Sequence, residues 1–540
     1  MRNSITGLIV LAVWLYPWSV AAQSSAVASD AATCDVKAYG ARGDGKTLDT
    51  AAIQQAIDVC AARGGGTVLL PSGTFLSGTL VLADNITLHV SAGATLLASP
   101  RIEDFRAFPP EDVPLISIDG STQNKGNGPY HLIHADGRHN VAIEGAGTIR
   151  GNGRAYWDPD PVKVFVSKRP RPTPLIEFVA SRKVRIENVS IEDAAGWTIH
   201  PLESEDIMIR GVRIGNDDRG PNTDGINIDS SRNVVISDTH IEAGDDCIVL
   251  KTTGRRGAPP APPTENVTIT NTVCSSDDQG FKIGTESLGD FRNITFSNAS
   301  IFHSPRLYRP PTAAISLSMV DGATFENVLV TNVVIRDAHT PLFLRLGNRG
   351  RGQKTPTPGV LRNVMFSNII ATGGTLASSI TGLAEHPARD ITLSDIDITM
   401  AGGEARAPSG GVPEADGDYP HAPMFGALPA HGLYVRHVQG LTLRNVRLRV
   451  DKPDARPAAL FDDVKDLQLD SVRPGGDSPV SLQLNDVAGA VVDSTRPVGE
   501  RRGTLRVTGS RSKLIHVSDD SLLDVTIDAG ANPAQITPRP

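Results

Sequence analysis

Asp206-Ile207-Met208-Ile209, Asn233-Val234-Val235-Ile236, Asn266-Val267-Thr268-Ile269 and Asn293-Ile294-Thr295-Phe296 are four versions of one phrase, a corner residue followed by alternating apolar positions. They begin 27, 33 and 27 residues apart, and the phrase returns at Asn85, Asn140, Asn363, Asp390 and Gly440. Short strands with a two-residue period, repeated at such intervals without helical periodicity, predict a solenoid of stacked coils. Alternate side chains then point inward, and each strand pairs in parallel with its counterpart about 4.8 Å away. Asn suits the corner because it tolerates left-handed backbone angles and can bond its own backbone. A leucine-rich repeat would show a shorter period and a leucine consensus, and a propeller would need four strands per repeat.

Working outward, the texture stays constant from about residue 64 onward. The 540 residues include 52 glycines and 38 prolines, with only 5% aromatics, which favours one β-rich solenoid over a string of globular domains. Residues 23–540 are therefore read as one all-β domain, a right-handed parallel β-helix. An irregular loop near 402–434 interrupts it, and the coils weaken after about 475. One helix is predicted, Thr50 to Ala62, with Ala52, Ile53, Ala56, Ile57 and Cys60 as its apolar stripe and Asp49 or Thr50 as N-cap. It is expected to cover the open end of the coil.

Met1-Arg2, the apolar run Leu8 to Leu15 and Val20-Ala21-Ala22 have the layout of a secretory signal over residues 1–22. The expected destination is secreted or periplasmic, and no other stretch is long enough to span a membrane. The net charge of −8 without a basic, aromatic-rich cluster argues against nucleic acid, and the chain is expected to act as a monomer. In an exported chain, Cys34, Cys60, Cys247 and Cys274 can form two disulfides, in chain order Cys34–Cys60 and Cys247–Cys274, or remain buried thiols.

The densest polar chemistry lies in Asn222-Thr223-Asp224-Gly225-Ile226-Asn227-Ile228 and Gly244-Asp245-Asp246-Cys247-Ile248-Val249-Leu250. Matching Ile226/Ile228 to Ile248/Leu250 places Asp224 beneath Asp246, and Phe281/Ile283, Ile315/Leu317 and Leu344/Leu346 continue the register. The columns are then Asp224, Asp246, Gln279, Ala313 and, facing outward, Asn227, Val249, Lys282, Ser316, Arg345. Three carboxylates so close repel one another, so at least one keeps its proton near neutral pH. A proton donor beside ionised bases is what cleavage of a glycosidic bond requires, whereas a lone Asp would more simply cap a turn or bind calcium.

With its Asn-Thr-Asp and Gly-Asp-Asp strands 21 residues apart, the chain resembles glycoside hydrolase family 28, the polygalacturonase-like enzymes on a pectin-lyase-like solenoid. The likeness extends to Val36-Lys37-Ala38-Tyr39-Gly40, Gly64-Gly65-Gly66-Thr67-Val68, Arg171-Pro172 and Trp197-Thr198-Ile199-His200-Pro201, over roughly residues 34–370. It implies a pectic or related polysaccharide substrate, no metal and no cofactor. Asp245 would be the general acid, and Asp224 and Asp246 would activate water with inversion. An inverting pair is expected about 6.5–9.5 Å apart. Two departures stand out: Gln279 replaces the family's Gly-His-Gly histidine, and Ser316-Leu317-Ser318 replaces Arg-Ile-Lys. Lys282 and Arg345 flank that gap and could bind substrate in its place, as could Gln279 and His200; alternatively the two cations are solvated surface charges. A polysaccharide lyase and a non-catalytic carbohydrate-binding β-helix are the competing readings.

Overall fold

The computed structural model describes residues 32–539, apart from 109–127, 163, 169, 255–259, 409, 500–501 and 529. The expected signal segment, 1–22, lies outside them. Each corner residue adopts the left-handed backbone: φ is 59° at Asn85, 57° at Asp206, 56° at Asn233, 57° at Asn266 and 56° at Asn293. Their side chains reach across coils rather than back to their own backbone. Nδ2 of Asn233 donates to Oδ1 of Asp206 at 3.0 Å, Asn266 to Asn233 at 3.2 Å, Asn293 to Asn266 at 3.1 Å and Asn327 to Asn293 at 3.1 Å.

Between corners, alternating residues turn inward and stack on their counterparts, so 37 strands among the described residues join in one sheet wound as a right-handed parallel β-helix. Ile207, Val234, Val267, Ile294, Val328 and Val364 form one such inward column, all buried. The helix spans Thr50–Ala62 as predicted and buries Ile53, Ala56, Ile57 and Cys60. Asp49 does not cap it; its carboxylate accepts from the Arg42 and Gly43 amides at 2.8 and 3.0 Å, fixing the turn before the helix. Disulfides join Cys34 to Cys60, tying helix to first strand, and Cys247 to Cys274 on neighbouring coils. Residues 403–432 interrupt the repeat between strands Ala388–Gly402 and Leu433–Lys452, and thinner coils continue to Ile536–Arg539. Among the described residues no helix is long and apolar enough to cross a membrane.

Phe281, inside the coil that carries Lys282, stacks on Phe296 with centroids 4.3 Å apart. Phe281→Ala is expected to lower unfolding free energy by about 3–5 kcal/mol, read by chemical denaturation. A change below about 1 kcal/mol would mean that the coil interior collapses to fill the space.

Candidate active site

Strand Ile226–Asp229 pairs with Ile248–Thr252 through Ile226 on Ile248 and Ile228 on Leu250, so Asp224 and Asp246 stand on the same line one coil apart. Two glycines permit this approach. A Cβ on Gly225 would lie 2.5 Å from the Cys247 carbonyl oxygen, and one on Gly244 would lie 2.6 Å from the Asp217 oxygen. The turn leading into Asp224 is pinned by Asn216, whose Nδ2 donates to the Thr223 oxygen (3.0 Å) and to Thr198 Oγ1 (2.8 Å).

One oxygen from each of Asp224, Asp245 and Asp246 lies within 4.8 Å of the others. This is closer than the separation expected above for an inverting pair, because aligned positions on adjacent coils are a single rung apart. Asp245 is half-buried; its Oδ1 accepts from the Asp246 amide at 3.0 Å and its Oδ2 from Asn222 Nδ2 at 3.3 Å. Asp224 and Asp246 are buried, and Oδ1 of each has no hydrogen-bond partner. The other Asp246 oxygen, Oδ2, receives the Lys282 ammonium at 2.8 Å. A cation could sit among the three carboxylates, but the fold already supplies positive charge there through Lys282.

Burial pushes all three carboxyls upward. Asp224 lies well above the ordinary range, from burial first and then from the charges of Asp245 and Asp246. Asp245 is raised by burial and by Asp278. Asp246 reaches about 7, where burial outweighs the opposing pull of Lys282. The triad therefore retains at least one proton at neutral pH, the condition for acid and base to coexist.

Five residues that the sequence pattern did not single out complete the site. Lys251 pairs with Glu286 at 3.2 Å and lies 4.7 Å over the Trp197 ring. Arg351 pairs with the same Glu286 at 3.1 Å, and Arg349 with Asp321 at 2.6 Å. Arg349 and Arg351 follow a strand in a loop, where no periodicity marks them; Lys251 continues a legible strand and could have been found by extending the register. Among the described residues, Lys251, Lys282, Arg349 and Arg351 each have a carboxylate partner.

The proposed sugar-contacting residues divide. Gln279 stands in the Asp246 line with Oε1 unpaired, and Lys282 is beside it, so both line the site. Lys282 is not a solvated surface charge. His200 is fully buried, with Nδ1 3.1 Å from Glu177 Oε1 and Nε2 3.5 Å from Asp229 Oδ2, so it is held within a polar network away from the aspartates. Arg345 corrects the register: Ile315 pairs with Leu342 and Ser318 with Arg345, two residues from the alignment that set Arg345 against Ser316. Its guanidinium donates to the carbonyls of Glu414 (2.8 Å), Ala415 (3.2 Å) and Gly382 (3.2 Å), anchoring the 403–432 loop instead of facing sugar.

That loop covers the sheet. Phe425, Leu428 and Ala430 pack on Phe343, Ala377 and Tyr434, and Tyr419 lies under the Arg349 guanidinium. No outward-facing residue in the line His134, Glu177, His200, Asn227, Val249, Lys282, Ser316, Phe343, Ser379, Tyr434, Leu460 is more than 8% exposed, and the loop accounts for this at Phe343, Tyr434 and Leu460.

A family model described as glycosyl hydrolases family 28 matches residues 60–413. The chain is 27% identical over 398 residues to a "Probable polygalacturonase" of Vitis vinifera, covering 72% of this chain and 78% of that protein. To the endo-polygalacturonase of Pectobacterium carotovorum subsp. carotovorum it is 28% identical over 329 residues, covering 57% and 77%. Among solved structures, the hyperthermoactive exopolygalacturonase of Thermotoga maritima aligns with a TM-score of 0.61 at 25% identity, over 78% of this chain and 91% of that one.

Two substitutions test these placements. A base whose pKa is raised loses its ionised form as pH falls through that value, so kcat/KM should have an acidic limb above the ordinary carboxylate range. Lys282→Ala removes the cation that holds Asp246 down, and the limb should move to higher pH, costing about tenfold in kcat/KM at pH 5 per unit moved. An unmoved limb would separate Lys282 from Asp246 ionisation. Arg345→Ala should expose the 403–432 loop to limited proteolysis about tenfold faster; an unchanged cleavage rate would show that the loop is held by other contacts.

Proposed function

This chain belongs to glycosyl hydrolases family 28, and on that footing we propose that it is an exported, inverting hydrolase that trims pectic polysaccharide or its oligosaccharides from a chain end. As an O-glycosyl hydrolase it needs an acid at the leaving oxygen and a base for water. Asp245, the most accessible of the three aspartates, is the acid. Asp224 and Asp246 hold the attacking water, and whichever of the two is ionised takes its proton.

One observation carries this assignment: Oδ1 of Asp224 and Oδ1 of Asp246 are both buried and both unpaired, on adjacent coils. Carboxylate oxygens only accept. A single water can donate one O–H to each and keep a lone pair for the anomeric carbon. Water held by this pair, on the side of the sugar opposite Asp245, gives inversion without a covalent intermediate.

Chain-end action is supported by the 403–432 loop, whose Phe425, Leu428 and Ala430 close over Phe343 and Tyr434 on coils beyond Ser316. Export is supported by the character of residues 1–22 and by two disulfides, which persist in oxidising compartments. A lyase of the calcium and basic-residue kind would need an unprotonated Lys or Arg as base, whereas Lys251, Lys282, Arg349 and Arg351 each face a carboxylate that favours the charged form.

Proton NMR of pectic oligosaccharide digests tests the mechanism. The first-formed product should have the anomeric configuration opposite to that of the bond cleaved; retention would overturn the shared-water assignment. Asp245→Asn should cost about 10²- to 10⁴-fold in kcat, the usual contribution of a general acid, with KM little changed. Products from a long substrate should be mono- or disaccharides from the first minutes; an early ladder of intermediate lengths would overturn chain-end action.

A further inference from the structure

His131, His134 and Glu177 form a second cluster of ionisable side chains, on strands two and three coils before the one that follows Asp224. They are 0%, 3% and 1% exposed. The mechanism does not use them, and their hydrogen positions are constrained by their neighbours.

His131 Nδ1 lies 2.9 Å from the Pro174 carbonyl oxygen. A carbonyl can only accept, so Nδ1 carries the hydrogen, and in a neutral ring Nε2 presents a lone pair. That Nε2 stands 2.6 Å from Glu177 Oε2, an ion pair when the ring is protonated and a contact between two lone pairs when it is neutral. His134 Nδ1 faces the same oxygen at 3.7 Å and has no hydrogen-bond partner. Three acceptor-capable atoms, mutually within 4.8 Å, thus converge in a site sealed from water. Buried polar atoms are seldom left in this state, because each loses its hydration without replacement.

A single divalent cation would satisfy all three. Zn–N and Zn–O bonds of about 2.0–2.1 Å set tetrahedral ligand atoms about 3.3 Å apart, and the observed 2.6 and 3.7 Å bracket that edge. The outer contacts are those that orient metal ligands. The Nδ1 hydrogen of His131 is held by a backbone carbonyl, and the other Glu177 oxygen, Oε1, meets His200 Nδ1 at 3.1 Å. His200 in turn faces Asp229 Oδ2 at 3.5 Å. Phe108 covers the His134 ring, centroid to centroid 3.7 Å, and excludes solvent.

We propose that His131 Nε2, His134 Nδ1 and Glu177 Oε2 bind one divalent transition-metal cation, zinc by the nitrogen-rich donor set, and that this metal braces the coils beneath the pocket. The role is structural: the ligands lie coils away from the aspartates, and no step of hydrolysis passes through them.

The test uses tag-free, full-length mature protein, stripped with chelator and titrated with ZnCl₂ by calorimetry, with bound metal counted after gel filtration. One equivalent per chain is expected, with a rise in thermal midpoint on Zn²⁺ that Mg²⁺ does not give. Co²⁺ in its place should show the visible absorption of a low-coordinate nitrogen-ligated ion. His134→Gln should lose the equivalent and the thermal shift; since His134 Nδ1 makes no hydrogen bond, the variant is expected to fold, as circular dichroism would report. Glu177→Gln is the second variant, and Asp245→Asn should keep the metal. Failure of the wild type to retain zinc would overturn the proposal, and leave His131 as an imidazolium paired with Glu177. Retention in both ligand variants would overturn it equally, as would loss in Asp245→Asn, which would place the ion among the aspartates.

Discussion

Every feature of this molecule depends on parallel register held constant from coil to coil. The corner asparagines enforce it: a left-handed residue at each bend turns the chain at the same place, and its amide bonds the amide of the coil below. A slip of one residue would reverse which side chains face inward, breaking this ladder and exposing the buried Val and Ile columns together. The register is therefore overdetermined, and whatever the sequence puts at equivalent positions is forced to within one rung.

The clustered carboxylates are a direct consequence. Asp224 and Asp246 cannot avoid each other, because Ile226 and Ile248 stack beneath them. Two carboxylates at that range, out of water, would not both ionise, and burial raises each. The next coil supplies the remedy in the same way, since Val249 pairs with Lys282 and brings the ammonium to Asp246. Acidity, basicity and counter-charge are thus set by consecutive coils of one sheet, without any loop having to position them.

This explains how much could be read from sequence. The corner phrase and the lines through Asp224, Asp246 and Gln279 follow from a two-residue period and a regular interval, the capping helix from an apolar stripe at helical spacing, and the disulfides from the order of four cysteines along the chain. The reading failed where the period carries no phase. In Thr340–Leu346 the alternation Leu342, Leu344, Leu346 fits equally well two residues along, and Arg345 was placed against Ser316 when it belongs with Ser318. It failed again at His200, whose outward direction was legible but whose cover was not. Cover comes from segments far away in sequence, and those have no repeat to read.

Arg345 shows that the cover is itself built on the register. Ser318, Arg345, Thr381, Arg436 and Asp462 form one continuous line on adjacent coils. Arg345 donates to the carbonyls of Glu414 and Ala415, Arg436 to those of Val412 and Pro413. His437, next along, lies between Glu414 at 3.2 Å and Asp463 at 2.7 Å. A loop without periodicity is thereby fixed at alternate rungs by cations that the sheet presents. Tyr419, a few residues on, lies against Arg349 and, through it, beside the Asp321 carboxylate that closes the charged pocket. The register that sets Asp224 and Asp246 one coil apart sets Arg345 and Arg436 two coils apart beneath one loop, so carboxylate cluster and loop anchor are both products of one repeated step.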